Sequence, residues 1–368
     1  MAPLRVGVLG QGRSGLDIHC RWFQQVPRKF RIVAVSDLLA DRRRRAQEKF
    51  GCDVYRNYDE LLARDDLDLV VNSLPSHLHP SVTIAALQSG HHVVCEKPLA
   101  WNIAELDGMI AAARKARRRL IPFQQRRFDA TFQKIIAVID SGVLGRIVQA
   151  RIASNGFARR WDWQTLQEFG GGNLLNTGPH FLDQALCLLG YRRPDSVICA
   201  MDRANTLGDA DDYVKVVIKK KGAPVIDLEI SSCDAYAGDM YNIQGTQGGL
   251  TGGGGELRWR YYNPRTAPRQ RLQRSPLPGP SYCRENLKLT EKCWRPTKVQ
   301  SNLFSYISKQ FYDRVSTALR EGATLEVTPQ QVRIQMAVVE ECFRQVKLSR
   351  LPRKGWPGSR SREGRSTP

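Results

Sequence analysis

The sequence predicts an α/β protein in which an N-terminal parallel sheet domain precedes a C-terminal α/β domain with a mostly antiparallel, open-faced sheet. At 368 residues the chain exceeds what one hydrophobic core usually organises, which favours two domains. Strand-like and helix-like segments alternate over residues 1–123, as expected for parallel strands covered by helices. Residues 124–350 contain β-branched and aromatic segments with partial apolar–polar alternation, which is typical of antiparallel strands.

The overall composition is that of a globular protein. Hydrophobic residues make up 42% and charged residues 25% of the chain, close to globular averages. No apolar stretch reaches the roughly 18 residues of a membrane span, and the first strand begins too close to Met1 for a secretory signal. The nine cysteines are scattered without a C-x-x-C pair, which is typical of reduced thiols. We therefore expect a cytoplasmic protein without a membrane partner.

A formal net charge of +20 raises the question of a nucleic-acid partner. The excess has visible sources in Arg42 to Arg45, in residues 114–119 and in residues 351–368, which are predicted to form a basic, disordered tail. These runs lack interleaved aromatic residues, and no helix-turn-helix or RNA-binding signature accompanies them. Nucleic acid is therefore not the expected partner. The basic surface would instead concentrate anionic small molecules, including a dinucleotide.

The N-terminal strands are predicted as short apolar runs without alternation, because strands of a parallel sheet are buried on both faces. Helical segments separate them, and Gly51 and Gly90 stand where two of these helices should end. The predicted strands are Leu4–Leu9, Arg31–Ser36, Leu69–Leu74, His92–Glu96 and Leu120–Phe123.

A glycine-rich turn follows the first strand and reads Gly10-Gln11-Gly12-Arg13-Ser14-Gly15. This is the G-x-G-x-x-G pattern, placed between a strand and a helix as in a Rossmann domain. Gly10 permits the tight turn, Gly12 lets backbone amides approach a pyrophosphate, and Gly15 lets the helix pack against the sheet. The free amides of the helix N-terminus then face the phosphates. The six residues are therefore predicted to bind a dinucleotide.

Asp37 is predicted to select the dinucleotide. It follows the second strand, 22 residues beyond Gly15, near the distance at which an acid binds the adenosine ribose. A carboxylate there accepts hydrogen bonds from the ribose hydroxyls and repels a 2′-phosphate, so NAD is favoured over NADP. Arg42 to Arg45 begin five residues later and could reach a 2′-phosphate. NADP therefore stays an alternative, although a solvated helix face explains this run better.

Two segments at strand ends carry a family resemblance. The third strand runs into Leu74-Pro75-Ser76-His77-Leu78-His79, and the fourth into Cys95-Glu96-Lys97-Pro98. They resemble the T-P-N-x-x-H and E-K-P signatures of the Gfo/Idh/MocA oxidoreductase family, the first in part and the second completely. Ligands of open parallel sheets bind beyond the carboxyl ends of strands, where Lys97 lies. The resemblance implies cofactor contacts from Leu74, Pro75, His79, Glu96 and Lys97.

The resemblance continues to about residue 350. Residues 170–183 read GGGNLLNTGPHFLD and resemble the family's G-G-G-x-L-x-D-x-G-x-H-x-x-D. One functional position departs from this motif, because Asn176 stands where an aspartate is usual. Asn176 and His180 are four residues apart, so on a helix they share a face. Pro179 is tolerated only near a helix start, which would leave Asn176 in the entry turn.

The resemblance implies that His180 is the general base. An imidazole, with a reference pKa of about 6.5, can take a proton from a substrate hydroxyl while hydride leaves the carbon. Lys97 would stabilise the developing alkoxide. Asn176 would bind substrate or hold the imidazole tautomer, but an amide cannot neutralise an imidazolium. We therefore predict Lys97, His180 and Asn176 as catalytic residues that also bind substrate.

Two further residues are predicted to contact the substrate. Trp163 lies in the segment RRWDWQ at 159–164, whose aromatic faces and polar tips suit a polyhydroxylated ring. The alternative is that its tryptophans pack between the domains. Arg127, which belongs to an R-F pair shared with the family, is a candidate for substrate or cofactor contact.

The remaining motifs bear on assembly and metal binding. Strands are predicted at Tyr213–Ile218, Val225–Ser231 and Tyr241–Gly245, and glycines 248, 249 and 252–255 are predicted to form turns. Relatives often cover the open sheet face with another subunit, so the resemblance implies a homodimer or homotetramer. No metal site is expected, because no carboxylate or thiol set completes a ligand sphere around the histidine pairs.

These observations predict an NAD(P)-dependent dehydrogenase or reductase that acts on a CH–OH group of a sugar, cyclitol or related polyol. Two alternatives stay open. One is a glycosidase-like enzyme that uses NAD to oxidise and re-reduce its sugar, which net cofactor consumption would distinguish. The other is a non-catalytic dinucleotide-binding regulator, which Asn176 favours and the presence of Lys97 and His180 disfavours.

Overall fold

The structure is a computed structural model that describes residues 2–274, 276 and 282–351. From residue 352 onward, the predicted basic tail lies outside the described residues. Two sheets organise the described chain, one from each side of the predicted boundary at residue 123. Within the described residues, none of the helices combines the length and the apolar composition that crossing a membrane requires.

The first sheet is parallel throughout, as predicted. Its strands are β1 (Leu4–Leu9), β2 (Phe30–Ser36), β3 (Asp53–Tyr55), β4 (Leu69–Asn72), β5 (His92–Cys95) and β6 (Leu120–Pro122). They lie in the order β3-β2-β1-β4-β5-β6, which brings the carboxyl ends of β1 and β4 together at the reversal of strand order, the usual ligand crevice. The edge strand β3 was not predicted, because three partly exposed residues carry no apolar run.

Helices cover both faces of this sheet. A π-helical segment at Ser14–Cys20 continues into α1 (Arg21–Gln25), and the later segments are α2 (Ala40–Phe50), α3 (Tyr58–Leu62), a 3₁₀ turn at Ser76–Leu78, α4 (His79–Gln88) and α5 (Ile103–Ala116). Gly51 ends α2 in the left-handed conformation, with φ of +60°, where the absence of a side chain removes the strain.

The second sheet is mostly antiparallel. Its strands are β7 (Ile147–Asn155), β8 (Ser196–Asp202), β9 (Tyr213–Lys219), β10 (Val225–Ser231), β11 (Tyr241–Gly245), β12 (Gly248–Gly252), β13 (Leu257–Tyr261) and β14 (Thr290–Trp294). They lie in the order β14-β13-β12-β11-β7-β10-β9-β8, with β7 and β10 parallel. One face is apolar, and the other carries charges such as Lys215, whose Nζ lies 2.5 Å from Asp227 Oδ1.

Glycines 248, 249 and 252 form part of strand β12, so their prediction as turns is wrong. The reason is a close approach between backbones. A β carbon at Gly248 would overlap the carbonyl oxygen of Arg260, and one at Gly249 would lie 3.2 Å from that of Ile243. Glycine is used here because the neighbouring strands leave no room for a side chain.

The C-terminal helices join the two sheets. The remaining segments are α6 (Ala130–Asp140), α7 (Asn173–Asn176), α8 (Gly178–Leu188), α9 (Lys298–Ser301), α10 (Leu303–Glu321), α11 (Pro329–Gln345) and 3₁₀ turns at Gln125–Phe128, Trp163–Thr165 and Gln167–Phe169. Helix α8 packs on β7 and β10, whereas α10 returns to the first sheet, where Tyr312 packs against Phe23 with ring centroids 4.7 Å apart.

Candidate active site

The glycine turn after β1 leaves an open stretch of backbone. Gly10 has φ of +87°, and a β carbon there would lie 2.9 Å from the carbonyl oxygen of Ser73. A β carbon at Gly15 would overlap the carbonyl oxygen of Gly10. At Gly12 the nearest atom would be an Arg42 guanidinium nitrogen, 3.7 Å away. The turn therefore packs tightly on its inner side and presents free backbone at Gly12, as a pyrophosphate requires.

Asp37 lies beside this turn. Its Oδ2 accepts a hydrogen bond from the Gln11 backbone amide at 2.8 Å, and its Oδ1 accepts one from the Leu39 amide at 2.9 Å. Each carboxylate oxygen accepts more than one hydrogen bond, so capacity for ribose hydroxyls remains. Two amides thus fix the carboxylate at the expected ribose position.

The arginine run on α2 turns back toward the same place. Arg42 Nη1 lies 3.4 Å from Asp37 Oδ2, Arg43 donates to the Asp37 carbonyl oxygen at 2.7 Å, and Arg45 donates to the Gln11 carbonyl oxygen at 3.0 Å. The interpretation of this run as a purely solvated helix face is therefore wrong for these three residues. They lie beside Asp37 because α2 begins at Ala40, three residues after it, so that its first two turns stay close to the carboxylate.

His79 clamps two loops of the predicted cofactor wall together. Its Nδ1 lies 2.7 Å from the carbonyl oxygen of Pro98, and its Nε2 lies 2.9 Å from that of Leu74. The ring is buried. Both ring nitrogens are thus occupied by the protein, so His79 positions Leu74 and Pro98 rather than offering its own ring nitrogens to a ligand.

A buried network holds Glu96. Its Oε1 lies 3.2 Å from His19 Nε2, and His19 Nδ1 lies 2.5 Å from the Tyr312 hydroxyl. The Lys97 amide donates to Glu96 Oε2 at 3.1 Å. Burial alone would raise the pKa of Glu96, but hydrogen bonds from His19 and Ser14 and the charge of Lys97 lower it to about 2. Glu96 is therefore an ionised anchor behind Lys97.

His19 and Tyr312 were not predicted as site residues. His19 faces inward from the helix that follows the glycine turn, a placement that helical spacing from Gly15 could have suggested. Tyr312 lies 293 residues farther along the chain, so no local pattern connects it with the site.

Lys97 reaches from the first domain to the second. Its Nζ donates to the carbonyl oxygen of Asn176 at 2.7 Å and to Asn176 Oδ1 at 2.8 Å. Burial lowers the pKa of Lys97 to about 8; Glu96 opposes this shift, and the charges of Arg13, Arg126 and Arg160 add to it. The ammonium group is therefore oriented by a neutral amide and loses its proton more readily than a surface lysine.

His180 lies beside Lys97 at the start of α8. Its Nδ1 is buried and has no hydrogen-bond partner among the described residues. Burial, together with the charges of Lys97 and Arg126, lowers the pKa of His180 well below its usual value. The imidazole is therefore neutral near pH 7, the form that accepts a proton.

Asn176 and His180 lie on two short helices rather than on one. Asn176 ends α7 and His180 is the third residue of α8, with Thr177 between the helices and Pro179 in the first turn of α8. The prediction of a shared helix face is thus replaced by the alternative that Pro179 suggested. Asp211 fixes α7, since its Oδ2 accepts from the Leu174 amide at 2.7 Å.

Arg127 is engaged in a buried ion pair. Its Nε donates to Asp183 Oδ2 at 2.9 Å and its Nη2 to Asp183 Oδ1 at 2.5 Å, with 6% and 2% of the two side chains exposed. Its Nη1 donates to the Gln331 side chain at 2.9 Å. The guanidinium therefore joins α8 to α11 through protein partners, and the predicted contact of Arg127 with substrate or cofactor stays a prediction.

Trp163 lies in a segment that crosses between the domains. Its ring meets Phe169 edge-on, with centroids 6.3 Å apart, and Phe169 lies 5.7 Å from His77 of the first domain. The next residue, Gln164, accepts from Arg160 at 2.8 Å and lies 3.5 Å from Asn176 Nδ2. Trp163 therefore packs at the junction of the two domains, whereas Gln164 reaches the predicted catalytic residue Asn176.

Within the described part of the chain, no three His, Cys, Asp or Glu side chains are grouped so that they could hold a metal ion. The residues do fit a dinucleotide. The free backbone at Gly12, the carboxylate of Asp37 and the Lys97 ammonium follow β1, β2 and β5, whose carboxyl ends lie along one edge of the parallel sheet.

Comparisons with known proteins agree with this geometry. Residues 4–124 match the oxidoreductase family with an NAD-binding Rossmann fold, and residues 132–251 match the GFO/IDH/MocA C-terminal domain. An uncharacterized oxidoreductase of Schizosaccharomyces pombe is 32% identical over 67% of this chain and 70% of its own length. The myo-inositol 2-dehydrogenase of Thermotoga maritima is 31% identical over 60% of this chain and 66% of its own.

Solved structures share the fold. The WlbA dehydrogenase from Bordetella pertussis, in complex with NADH and UDP-GlcNAcA, has a TM-score of 0.75 and 20% identity, covering 94% of this chain and 95% of that one. The putative oxidoreductase yvaA from Bacillus subtilis has a TM-score of 0.76 and 21% identity, covering 93% and 95%. With both family domains matched in order and the Rossmann crevice in place, the chain belongs to the Gfo/Idh/MocA family of NAD-binding oxidoreductases.

Proposed function

We propose that this protein is a dehydrogenase or reductase that transfers hydride between NAD and a CH–OH carbon of a sugar, cyclitol or related polyol. The observation that carries the proposal is the meeting of Lys97, Asn176 and His180 at the crevice of the parallel sheet. Relatives that carry the names myo-inositol 2-dehydrogenase and D-glucoside 3-dehydrogenase support the substrate class.

The cofactor, when bound, supplies the two-electron carrier that accepts or donates hydride. Asp37 would hold its ribose, and Arg42, between Asp37 and Gly12, supports some use of NADP as well. The residues that would hold its pyrophosphate and nicotinamide ends are Gly10, Gln11, Gly12, Arg13, Ser14, Gly15, Leu74, Pro75, Glu96 and Lys97, with His79 behind them.

The chain's own chemistry is centred on the substrate oxygen. Asn176 orients the Lys97 ammonium, which would bind that oxygen and stabilise its negative charge as the C–H bond breaks. Neutral His180 would accept the hydroxyl proton and return it when the reaction runs toward the alcohol. Gln164, which lies 3.5 Å from Asn176 Nδ2, would border the substrate on the second-domain side.

The direct test is a panel of sugars, inositols and diols, incubated with NAD and with NADP and followed at the absorbance of the reduced nicotinamide. We expect net reduction or oxidation with at least one substrate. NADH binding without turnover of any substrate would instead support a regulator. Glycoside cleavage without net cofactor consumption would support the glycosidase-like alternative.

The role of His180 is tested by His180→Ala, with His92→Ala as a control on β5, away from Lys97. We expect His180→Ala to lower turnover by about 10²- to 10⁴-fold while the NADH affinity is retained, because positioned proton transfer contributes that much. His92→Ala should retain turnover. Full turnover by His180→Ala on a confirmed substrate would remove the residue from the mechanism.

Assembly and location follow from other features. Exposed Ile198, which pairs with Val217 on the open face of the second sheet, supports a homodimer or homotetramer, which light scattering at micromolar concentration would show. A monomer under those conditions would contradict the oligomer. Nine free cysteines support a reducing, cytoplasmic location.

A further inference from the structure

Positive charge is in excess around the predicted catalytic residues. The charges of Arg13, Arg126 and Arg160 lower the pKa of Lys97, and the charges of Lys97 and Arg126 lower the pKa of His180. Arg160 is paired with Asp162 at 2.8 Å. Among the described residues, the side chain of Arg126 has neither an ion pair nor a hydrogen bond. Lys97 and Arg126 thus make no ion pair with a carboxylate of the described residues, although the charge of Glu96 acts on Lys97.

Arg126 is held close to His180 by its backbone. It lies in the 3₁₀ turn Gln125–Phe128, and its carbonyl oxygen accepts a hydrogen bond from Gln184 Nε2 at 3.1 Å. Gln184 follows His180 by four residues on α8, so the two side chains share a helix face. The guanidinium of Arg126 is only partly buried, so a ligand in the crevice could reach it.

The acids near the site are committed elsewhere. Glu96 is bound by His19 and by the Lys97 amide, and Asp183 is bound by Arg127. Asp211 is buried and accepts from the Leu174 amide. Asn176, which contacts the Lys97 ammonium directly, is neutral. When His180 accepts a proton, a further positive charge forms beside Lys97 and Arg126, and Glu96 is the carboxylate whose charge opposes this group of cations. One carboxylate does not balance three cationic groups, so positive charge stays in excess.

We propose that the substrate itself supplies the missing negative charge, and that its carboxylate or phosphate group binds Arg126. The substrate class is then a sugar acid or a sugar phosphate rather than a neutral polyol. This inference rests on the proposed function and narrows it. Arginine is suited to the role because its planar guanidinium binds carboxylate and phosphate through paired hydrogen bonds.

The test uses matched ligands with the NADH-loaded enzyme. Glucose, glucuronate and glucose 6-phosphate share ring hydroxyls and differ at one carbon, and inositol is compared with inositol monophosphates in the same way. Binding is measured through nicotinamide fluorescence, and oxidation is measured with NAD. We expect the anionic member of at least one set to bind more tightly than its neutral counterpart by about tenfold or more. The stronger anion in that set shows whether the site takes a carboxylate or a phosphate.

Variants separate a specific site from the general basic charge. Arg126→Met should weaken the preferred anion by about 10- to 100-fold and leave the neutral ligand within about threefold, because one charge-assisted contact is lost. Arg126→Lys should restore part of the affinity. Arg159→Met, which removes an exposed arginine from the nearby loop, should change little. Asn176→Asp should weaken the anion, since it places a carboxylate beside Lys97.

These measurements test the anionic substrate separately from the dehydrogenase activity. Neutral ligands that bind as well as the anions in every set, with no effect of Arg126→Met, would overturn the anionic substrate while turnover of a neutral polyol still supported the dehydrogenase. Equal loss of anion affinity in Arg126→Met and Arg159→Met would also overturn it, because the attraction would then be nonspecific. NADH binding without turnover of any ligand would overturn the proposed function itself.

Discussion

Lys97 and Arg127 are two cations at the same domain junction, and they differ in their partners. Arg127 is bound by the carboxylate of Asp183, with both side chains almost fully buried. Lys97 is bound by the amide and carbonyl oxygens of Asn176. A carboxylate neutralises a buried cation and fixes it, whereas an amide orients the cation and leaves its charge in place.

The difference supports a structural role for Arg127 and a chemical role for Lys97. The Arg127–Asp183 pair joins α8 to the 3₁₀ turn Gln125–Phe128, and the carboxylate of Asp183 neutralises the charge of Arg127. The charge of Lys97 is only partly compensated, by Glu96, and burial lowers the pKa of Lys97 to about 8, so the ammonium could stabilise a substrate oxygen and respond to pH. The partner, rather than the type of the charged residue, decides the role.

The largest expected effect is that of Lys97→Met on turnover. Loss of the ammonium removes the group that would stabilise the substrate oxygen, so kcat/KM should fall by about 10²- to 10⁴-fold. The unfolding midpoint should stay the same or rise, because a partly compensated buried charge is removed. Lys115→Met on the exposed face of α5 serves as a control. A variant with near-normal kcat/KM would make Lys97 structural, like Arg127.

Asp183→Asn gives Arg127 the kind of partner that Lys97 has. Because the guanidinium is buried, loss of its counter-charge should lower the free energy of unfolding by about 3–5 kcal/mol, measured in urea. Asp107→Asn, at an exposed pair with Arg333, should leave the midpoint nearly unchanged. The double variant Arg127→Met/Asp183→Leu should regain part of the loss. A negligible loss in Asp183→Asn would mean that water or another group already compensates Arg127.

Sequence patterns predicted the parts of the site that are local in the chain. The glycine turn after β1, Asp37 after β2 and Lys97 after β5 each follow a strand that an apolar run identified, so their position at one sheet edge followed from topology. Pro179 likewise indicated the break between Asn176 and His180. These features depend on short-range backbone preferences, which single sequences record.

The partners of the charged residues could not be predicted in the same way. Arg127 meets Asp183 across 56 residues, and His19 meets Tyr312 across 293. Arg127 was predicted to bind a ligand because the sequence shows its R-F motif but does not show that Asp183 is its partner in the fold. The strand at Gly248–Gly252 was not predicted for a related reason. Its glycines are required by the close approach of the backbone of strand β13, and no local signal in the sequence reveals that approach.

Tyr312→Phe tests a third buried charge, Glu96, which is compensated through His19. Loss of the hydroxyl leaves His19 Nδ1 buried without its partner, so unfolding should become easier by about 1–3 kcal/mol in urea. Tyr306→Phe is the matched control on α10, because the Tyr306 hydroxyl makes no hydrogen bond to a described residue. Equal effects of the two variants would contradict the network as the anchor of Glu96.

The smallest expected effect is a shift in pH dependence that follows from the neutral partner of Lys97. If the ammonium is the active form, kcat/KM falls as pH rises through about 8, the pKa of Lys97. Asn176→Asp places a carboxylate at hydrogen-bond distance, which favours the charged amine. The falling limb should therefore move up by about one pH unit, even though turnover of an anionic substrate declines.

Asn242→Asp, the same change at a half-buried position of strand β11, should leave this limb in place. His180 does not produce the limb, because burial lowers its pKa well below the usual value and any limb that it causes lies on the acidic side. A limb that stays at the same pH in Asn176→Asp would show that the group titrating near 8 is not Lys97. Lys97 and Arg127 would then differ in their partners, but the pH dependence of kcat/KM would give no evidence that Lys97 takes part in the reaction.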